Sequence, residues 1–391
     1  MHYKIWYIIK REIQFVFKKK KLVAFYCLAY PLIILGIITT IFSNAVIRRI
    51  PIAVNDNSKT AQSKELIRNF DASPFLRVAY YTDNLTRAKD LMQRGKIFAV
   101  INIDADFQKD LLKNKSGSVT AYISNQYLLV GGVASKGIIG AVDDFSLKYR
   151  TQVLSAMGAP SYLDEAFTTP IGVTESILYN PQSNYIYFLV LGLVPALLQL
   201  FVSLTLVYSL LTELKTGSAR QIGSLVNKHP FRVINAKMAV YIVLYIAQAA
   251  LMLSVLFIFF KIPLRGSVIM IILGGAAFTF FCSSIGVLIS GLTKSLRMGL
   301  SMAGIYSAPA FAYFGVTFPL EAMPLLARMW AFFLPGTHFN RILINEAIRG
   351  SGTSGSINAV LIMLGLGAVF FFVGSKLFAR WTVDESSWGA S

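Results

Sequence analysis

Apolar residues in this chain gather into long unbroken runs, and the runs are unevenly spaced. The first is Leu22–Phe42, and the next comparable one starts only at Tyr185. From there Tyr185–Leu211, Met238–Phe260, Val268–Leu292, Met298–Val316 and Ile357–Phe378 follow in close order. A run of about 20 apolar residues matches the hydrocarbon thickness of a bilayer. The pattern predicts an α-helical polytopic membrane protein of six transmembrane helices, with both termini on one side. Pro31 falls inside the first run, where it frees a carbonyl and predicts a kink.

The segments between the runs divide the chain further. Residues 1–21 read as an amphipathic interfacial helix, with Ile5, Ile9, Ile13, Val16 and Phe17 on one side beside Trp6, and Lys4, Arg11, Gln14 and Lys18 on the other. Residues 22–42 form the first span. Residues 43–184 alternate between period-two and period-three-to-four patterns, which predicts a small α/β domain. Its strands are expected at Ile50–Val54, Arg77–Tyr81, Lys96–Ile103 and Val119–Ile123. Its helices are expected up to Phe70, at Leu85–Gln93 with Thr82 or Asp83 as cap, at Phe107–Leu112, and over about 126–157. Span 2 occupies 185–211, a loop 212–237, spans 3–5 238–316, a proline-broken segment 317–354, span 6 355–380, and a tail 381–391.

Charge adds direction to this plan. Charged residues make up 14% of the chain, well under the share in soluble domains, and the net charge is +18. The excess of lysine and arginine hugs the ends of the apolar runs rather than a nucleic-acid face, so no nucleic-acid partner is expected. Seven basic residues precede Leu22 against one acid, Glu12, and Lys215, Arg220, Lys228, Arg232 and Lys237 crowd the 212–237 loop. Lys294, Arg297, Lys376 and Arg380 mark later turns. The positive-inside rule then puts both termini in the cytoplasm and 43–184 outside. Leu22–Phe42 reads as a retained signal-anchor, since no small-x-small cleavage site follows it directly. Cys27 and Cys282 lie in apolar runs, and His2, His229 and His338 are scattered, so neither a disulfide framework nor a metal site is expected. No span carries Asp or Glu in its core, which argues against a proton- or sodium-driven carrier built on a buried acid. No G-x-x-x-x-G-K-[ST] loop exists, so no ATP hydrolysis and no bound cofactor are expected in this chain.

Three stretches carry a resemblance. Ile52-Ala53-Val54-Asn55-Asp56 runs into Asn57-Ser58. Gly95-Lys96-Ile97-Phe98-Ala99-Val100-Ile101-Asn102-Ile103 runs into Asp106-Phe107 and Leu111-Leu112, with Asp104 where a proline is usual. Phe318-Pro319 and Met323-Pro324 precede Leu334-Pro335-Gly336-Thr337-His338-Phe339. Together these resemble the ABC type-2 export permease family, in the subgroup with a large extracytoplasmic domain between the first two spans. After span 2 the glutamate and glycine of the family's loop recur as Glu213 and Gly217, with Ser218 in the threonine position. The usual arginine-glutamate doublet before them is missing.

The resemblance implies a multi-pass protein of the bacterial inner membrane. It implies a permease subunit beside a second permease copy or paralogue, driven by separate cytoplasmic ATPase subunits that hold ATP and magnesium. It also implies a periplasmic adaptor and outer-membrane channel where a second membrane exists. Ser218–Asn227 reads as a short helix, with Ser218 as cap and Ile222 and Val226 on one face. The resemblance makes it a coupling helix, with Glu213, Gly217, Ser218, Arg220, Ile222 and Val226 as its working residues. A turn that only reverses the chain would look similar. Glu213 is expected to pair with Lys215 or with a partner's arginine, or to stand solvated.

Gln199, Ser203 and Thr205 on span 2, and Ser301, Tyr306, Ser307 and Tyr313 on span 5, are candidates to line a translocation path. Such residues equally glue helices together. An aromatic, apolar lining favours a hydrophobic or amphiphilic cargo. Phe318, Pro319, Pro324, Trp330 and Pro335 are candidates for an external gate made of two short re-entrant or interfacial helices, and docking on the membrane surface is the competing reading. A membrane docking or assembly protein is the alternative to an exporter. Gly217→Pro or Ile222→Asp is expected to lower ATP-driven transport while the chain stays in the membrane. A transport assay with co-purification of the ATPase checks this, and normal coupling in both variants would contradict it.

Overall fold

A computed structural model describes residues 2–19, 24–43, 46–113, 115–156, 179–216 and 229–383. The chain divides into two compact units: a helical unit made of 1–43 with 185–391, and a second unit of 44–184.

Four helices of the first unit are long and apolar enough to cross a bilayer: Ile186–Lys215, Phe231–Phe259, Val268–Leu292 and Ser354–Thr382, among the described residues. In chain order the unit begins with α1 (His2–Gln14) and α2 (Tyr30–Ile41). A wide π turn, Phe25–Ala29, leads into α2 directly before Pro31. The proline ring has no N–H to give and crowds the preceding turn, so the backbone widens there. Among the described residues the apolar helical stretch here is Cys27–Ile41.

Helices α3–α6, ending with the 29-residue α6 (Leu128–Ala156), belong to the other unit, and the bundle resumes with α7 (Leu191–Lys215), which a π turn at Ile186–Val190 precedes. Then come α8 (Pro230–Ser254), α9 (Val268–Leu292) and α10 (Leu296–Ser307). The expected span Met298–Val316 is not one helix. α10 is 12 residues long, about 18 Å at the α-helical rise, and Pro309 precedes a single 3-10 turn at Ala310–Tyr313. Two short helices follow, α11 (Leu325–Phe332) and α12 (Pro335–Leu343), then α13 (Ser354–Val383).

Glycines set the closest approaches and reveal the helix directions. A Cβ on Gly374 of α13 would lie 2.6 Å from the Leu288 backbone of α9, and one on Gly291 of α9 would lie 2.6 Å from the Gly374 carbonyl. Gly367 meets Phe280 and Phe281 lower on the same seam, so α9 and α13 run parallel. Close backbone approach between helices is how bundles gain dispersion energy where lipid offers no hydrophobic drive. The chain from α10 to Val316 runs antiparallel to α7, since Gly299 meets Val207 and Leu211 while Gly192 meets Val316. The end of α7, the start of α8, the 292–296 turn and Trp381 thus share one end of the bundle. There the indole of Trp381 donates to the Gly291 carbonyl at 2.7 Å, and Lys294 sits 4.2 Å over its ring.

The second unit holds β1 (Ile50–Asp56), α3 (Ala61–Ala72), β2 (Leu76–Tyr81), α4 (Leu85–Gln93), β3 (Ala99–Ile103), α5 (Phe107–Leu112), β4 (Val119–Ile123) and α6 (Leu128–Ala156). The sheet order is β2-β1-β3-β4, with β1 parallel to β2 and β3, and β4 antiparallel to β3. Strand alternation sends Ile50, Ile52, Val54, Ile101 and Ile103 to one face, where Leu66, Phe70, Ile138 and Phe145 from α3 and α6 complete a core. Ala53 and Val100 point to the other face and meet Ala88 of α4. The α3 cap is Thr60, reciprocally bonded with Ser63, while Asp56 accepts the Ser58 and Lys59 N–H groups. Asn84 caps α4 in place of the expected Thr82 or Asp83, because its side chain reaches the Thr86 N–H at 2.7 Å.

Gly374→Leu is expected to wedge α9 from α13 and cost about 3 kcal/mol or more, the upper range for overpacking. Gly365→Leu on the same helix, with nothing within 4 Å, is the control. Thermal unfolding of both variants in detergent checks this, and equal midpoints would contradict it.

Candidate functional site

At the end of the bundle where α7 stops and α8 starts, four charged side chains interlock. Glu213 accepts from Arg11 at 2.7 Å and from Lys237 at 2.9 Å. Lys237 also reaches Glu12 at 2.7 Å. Glu12 in turn accepts from Ser209 at 2.5 Å and from Tyr241 at 2.6 Å. Glu12 and Lys237 are each only 3% exposed. Among the described residues the cluster balances two acids against two bases, and each buried carboxylate has more than one donor. That satisfies the condition for holding ions away from water.

The helices deliver these groups by simple periodicity. Thr205, Ser209 and Glu213 recur every four residues on one face of α7, and Lys237, Tyr241 and Tyr245 recur every four on α8. The helices are antiparallel, so Glu213 meets Lys237 while Thr205 and Tyr245 pair at 2.7 Å. Tyr245 also donates to the Phe201 carbonyl. α1 closes the seam from the side: Ile8 packs on Val233 and Ala236 of α8, and Glu12 and Val16 follow Ile8 at four-residue steps. The buried stripe of α1 and of the π turn Phe15–Lys19 that continues it is therefore Ile8-Glu12-Val16. Trp6, Ile13 and Phe17, expected on its apolar side, remain exposed on the outward face.

Two expectations are corrected here. Glu213 pairs with Arg11 and Lys237 instead of Lys215, because α8 begins at Pro230 and carries Lys237 into the bundle. Acids are also buried in the bundle, though the apolar runs contain none in their cores. A third one, Glu346, is fully buried. It accepts from Ser356 at 2.5 Å and from the Ser267 N–H at 2.8 Å, while the Gly266 N–H donates to its backbone carbonyl. A Cβ on Gly266 would lie 2.4 Å from the Glu346 carboxylate. Glu346 thus ties the turn before α9 to the start of α13, at the opposite end of the bundle from the four-charge cluster. Gly217, Ser218, Arg220, Ile222 and Val226 lie outside the described residues, so only the flanks of the expected coupling segment are visible.

α12 is the second notable element. It is buried from Pro335 through Asn340, with α7, α9 and α13 around it. Phe339 stacks on Phe278 at 4.9 Å, in a groove that Gly274 and Gly275 leave open on α9. Gln199 accepts the Gly336 N–H at 3.0 Å, which satisfies one of the free donors at the start of α12. A helix packed this way is inserted among the helices of the bundle. α11 differs, exposing Leu325, Leu326 and Met329.

The expected path residues separate into two groups. Gln199, Ser203 and Thr205 are buried in the chain's own helix contacts, with Ser203 bonded to the Cys282 carbonyl and Thr205 to Tyr245. Ser307 is buried as well, while Ser301 is exposed and Tyr306 and Tyr313 are half-buried. Tyr306 donates to the Phe333 carbonyl at 2.7 Å and meets Trp330 edge-on. The expected gate residues do not form one cluster: Phe318, Pro319 and Pro324 are exposed, Trp330 joins Tyr306, and Pro335 is buried at the first turn of α12. Sequence reading missed Glu12, Ser209, Lys237 and Tyr241. The four-residue recurrence of polar groups at 205–213 and 237–245 is a signal for Ser209, Lys237 and Tyr241, and no such recurrence marks Glu12.

Comparison with known proteins agrees with this architecture. A family profile described as "ABC-2 family transporter protein" matches residues 20–376. The chain is 23% identical over 366 residues to the "Inner membrane transport permease YhhJ" of Escherichia coli (strain K12), covering 89% of this chain and 91% of that one. It is 20% identical over 345 residues to the "Probable multidrug ABC transporter permease YbhR" of the same organism, covering 88% and 89%. It is 21% identical over 272 residues to "ABC transporter G family member 20" of Dictyostelium discoideum, covering 69% of this chain and 36% of that one. With nearly the whole bundle and the α/β unit inside the matched range, the chain belongs to the ABC-2 transporter family.

Proposed function

We propose that this chain is the permease subunit of an ATP-driven exporter in a bacterial inner membrane, and that it moves a hydrophobic or amphiphilic cargo outward. Two separate ATPase subunits, holding ATP and magnesium, dock from the cytoplasm, and a second permease copy or paralogue completes the path. The bundle crosses the membrane six times in this reading, counting α2 and the broken α10 to α12 region. Both termini are inside and the α/β unit is outside, where an adaptor and an outer-membrane channel would meet it in a two-membrane cell. Helix directions support that plan, as α7, α9 and α13 all descend toward the end rich in lysine and arginine.

The observation that carries the proposal is the cluster Arg11–Glu213–Lys237–Glu12. It fastens α1 to both flanks of segment 217–228, the coupling segment. A push on that segment by a closing ATPase therefore reaches α1, α7 and α8 together. Ion pairs make a stiff joint because breaking one leaves a buried charge unpaired, at about 3–5 kcal/mol.

Lys237→Met leaves Glu12 and Glu213 facing each other and is expected to reduce the yield of folded permease. The neutral pair Arg11→Gln with Glu213→Gln removes opposite charges together and keeps the fold. It is expected to lower transport by about fivefold or more, the scale of ordinary coupling energies, while the ATPase still co-purifies. Transport at the parental rate in that double variant would contradict the proposal.

Topology has its own check. Lys89 on α4 is exposed, and the native cysteines Cys27 and Cys282 are buried. Lys89→Cys is expected to react with an impermeant maleimide on intact cells, and Lys294→Cys only after the cells are opened. The reverse pattern would overturn the orientation.

A further inference from the structure

The sheet of the α/β unit has two edges, and they differ. β2 forms one of them. Its register against β1 breaks between Ile52 and Ala53, and Asp71 of α3 accepts the Val78 N–H at 2.9 Å. An irregular edge strand with an occupied N–H is a poor template for another strand. β4 forms the other edge, and it pairs with β3 without a break from Val119 to Ile123. α6 packs on the face of β4, where Val119 and Ile123 join the core. Its hydrogen-bonding edge is left free.

Register tells which groups face outward. The Asp104 N–H donates to the Ser118 carbonyl and the Ser124 N–H to the Phe98 carbonyl, so Ser118 and Ser124 turn toward β3. Bonded and non-bonded pairs alternate along an antiparallel ladder. The N–H and C=O groups of Val119, Ala121 and Ile123 therefore point away from the sheet, and among the described residues nothing bonds to them. Ala121 is exposed, as are Thr120 and Tyr122 beside it. The strand reads Val-Thr-Ala-Tyr-Ile, without the charge or proline that usually guards such an edge.

These outward groups are symmetric about Ala121. A second copy laid antiparallel sets Val119 against Ile123, Ala121 against Ala121, and Thr120 against Tyr122. Three bonded pairs give about six backbone hydrogen bonds. β-branched side chains then meet aliphatic and aromatic ones, and no charge opposes another. We infer that β4 pairs with β4 of a second copy of this chain, which joins two four-stranded sheets into one. The inference rests on the reading that a second permease copy stands beside the first, and it gives that copy a contact outside the bundle.

Cysteine cross-linking of the full-length permease in membrane vesicles tests this. Two differently tagged copies are co-expressed, one with Thr120→Cys and the other with Tyr122→Cys. Non-bonded antiparallel neighbours stand about 4.5 Å apart at Cα, within reach of a disulfide. The native Cys27 and Cys282 are buried. Oxidation is expected to link the two tags, while Arg77→Cys in both copies, at an exposed position on β2, stays unlinked. Ala121→Pro in both copies removes an N–H that the unit does not use and is expected to abolish the link. Ala121→Lys leaves the backbone as it is, sets two ammonium groups face to face, and is expected to do the same. Copies that co-purify through their tags without linking at 120–122, or that still link in both Ala121 variants, would overturn the strand pairing and leave the two-copy reading standing. Copies that do not co-purify would overturn the two-copy reading and the pairing with it.

Discussion

Charges at the edge of a bilayer have few alternatives. Lys237 cannot reach water from where α8 carries it, so it must find an anion inside the protein, and it finds two. Glu213 ends α7 and Glu12 comes from α1, so one ammonium group draws three helices to a single point. Arg11 supplies a second positive charge, so the described residues of the cluster balance. The register of α7 against α8 follows from this pairing. Once Glu213 faces Lys237, the four-residue spacing brings Ser209 and Tyr241 to the same carboxylate and Thr205 to Tyr245. A slip of one turn would leave several buried polar groups without partners, at a cost well beyond any single hydrogen bond.

The opposite end of the bundle is built on another device. Glycines on α9 open a groove, and α12 fills it with Phe339, while Gln199 takes up a free donor at the helix start. Glu346 then binds the turn before α9 to the beginning of α13. The two ends thus differ in kind. One is an ion-paired joint next to the proposed ATPase contact, and the other is a close-packed plug of inserted helix. Motion passed through the first would be felt at the second along α7 and α9, which contact both α12 and one another.

Much of this plan is readable in the sequence, for physical reasons that can be named. Runs such as Val268–Leu292 are too long and too apolar to be anything but spanning helices, and the strands of the α/β unit show clean alternation at Ile50–Val54 and Val119–Ile123. Prolines caused the main departures. Pro31 follows a π turn inside the first span, and Pro309 turns an expected span into a 12-residue helix followed by a 3-10 turn. Hydropathy also misplaces the inner ends of α7 and α8. It treats Glu213 and Lys237 as solvated boundaries, whereas their mutual pairing lets both helices extend past the apolar edge. Glu12 and Lys237 are 225 positions apart, and nothing local in either neighbourhood announces the other. The order β2-β1-β3-β4 is likewise a matter of tertiary arrangement that alternation alone does not encode.

The central claim is that α1 and the flanks of segment 217–228 move as one body. Lys10 and Asn235 are exposed positions on α1 and α8, suited to spin labels. The most direct measurement is the distance distribution between labels at these two sites in the complex with its ATPase, taken without nucleotide and in an ATP-trapped state. The account predicts the same distribution in both states for the parent protein, and a shifted or broadened one when Arg11 and Glu213 are both replaced by glutamine. A Lys10–Asn235 distance that changes with nucleotide in the parent would contradict it.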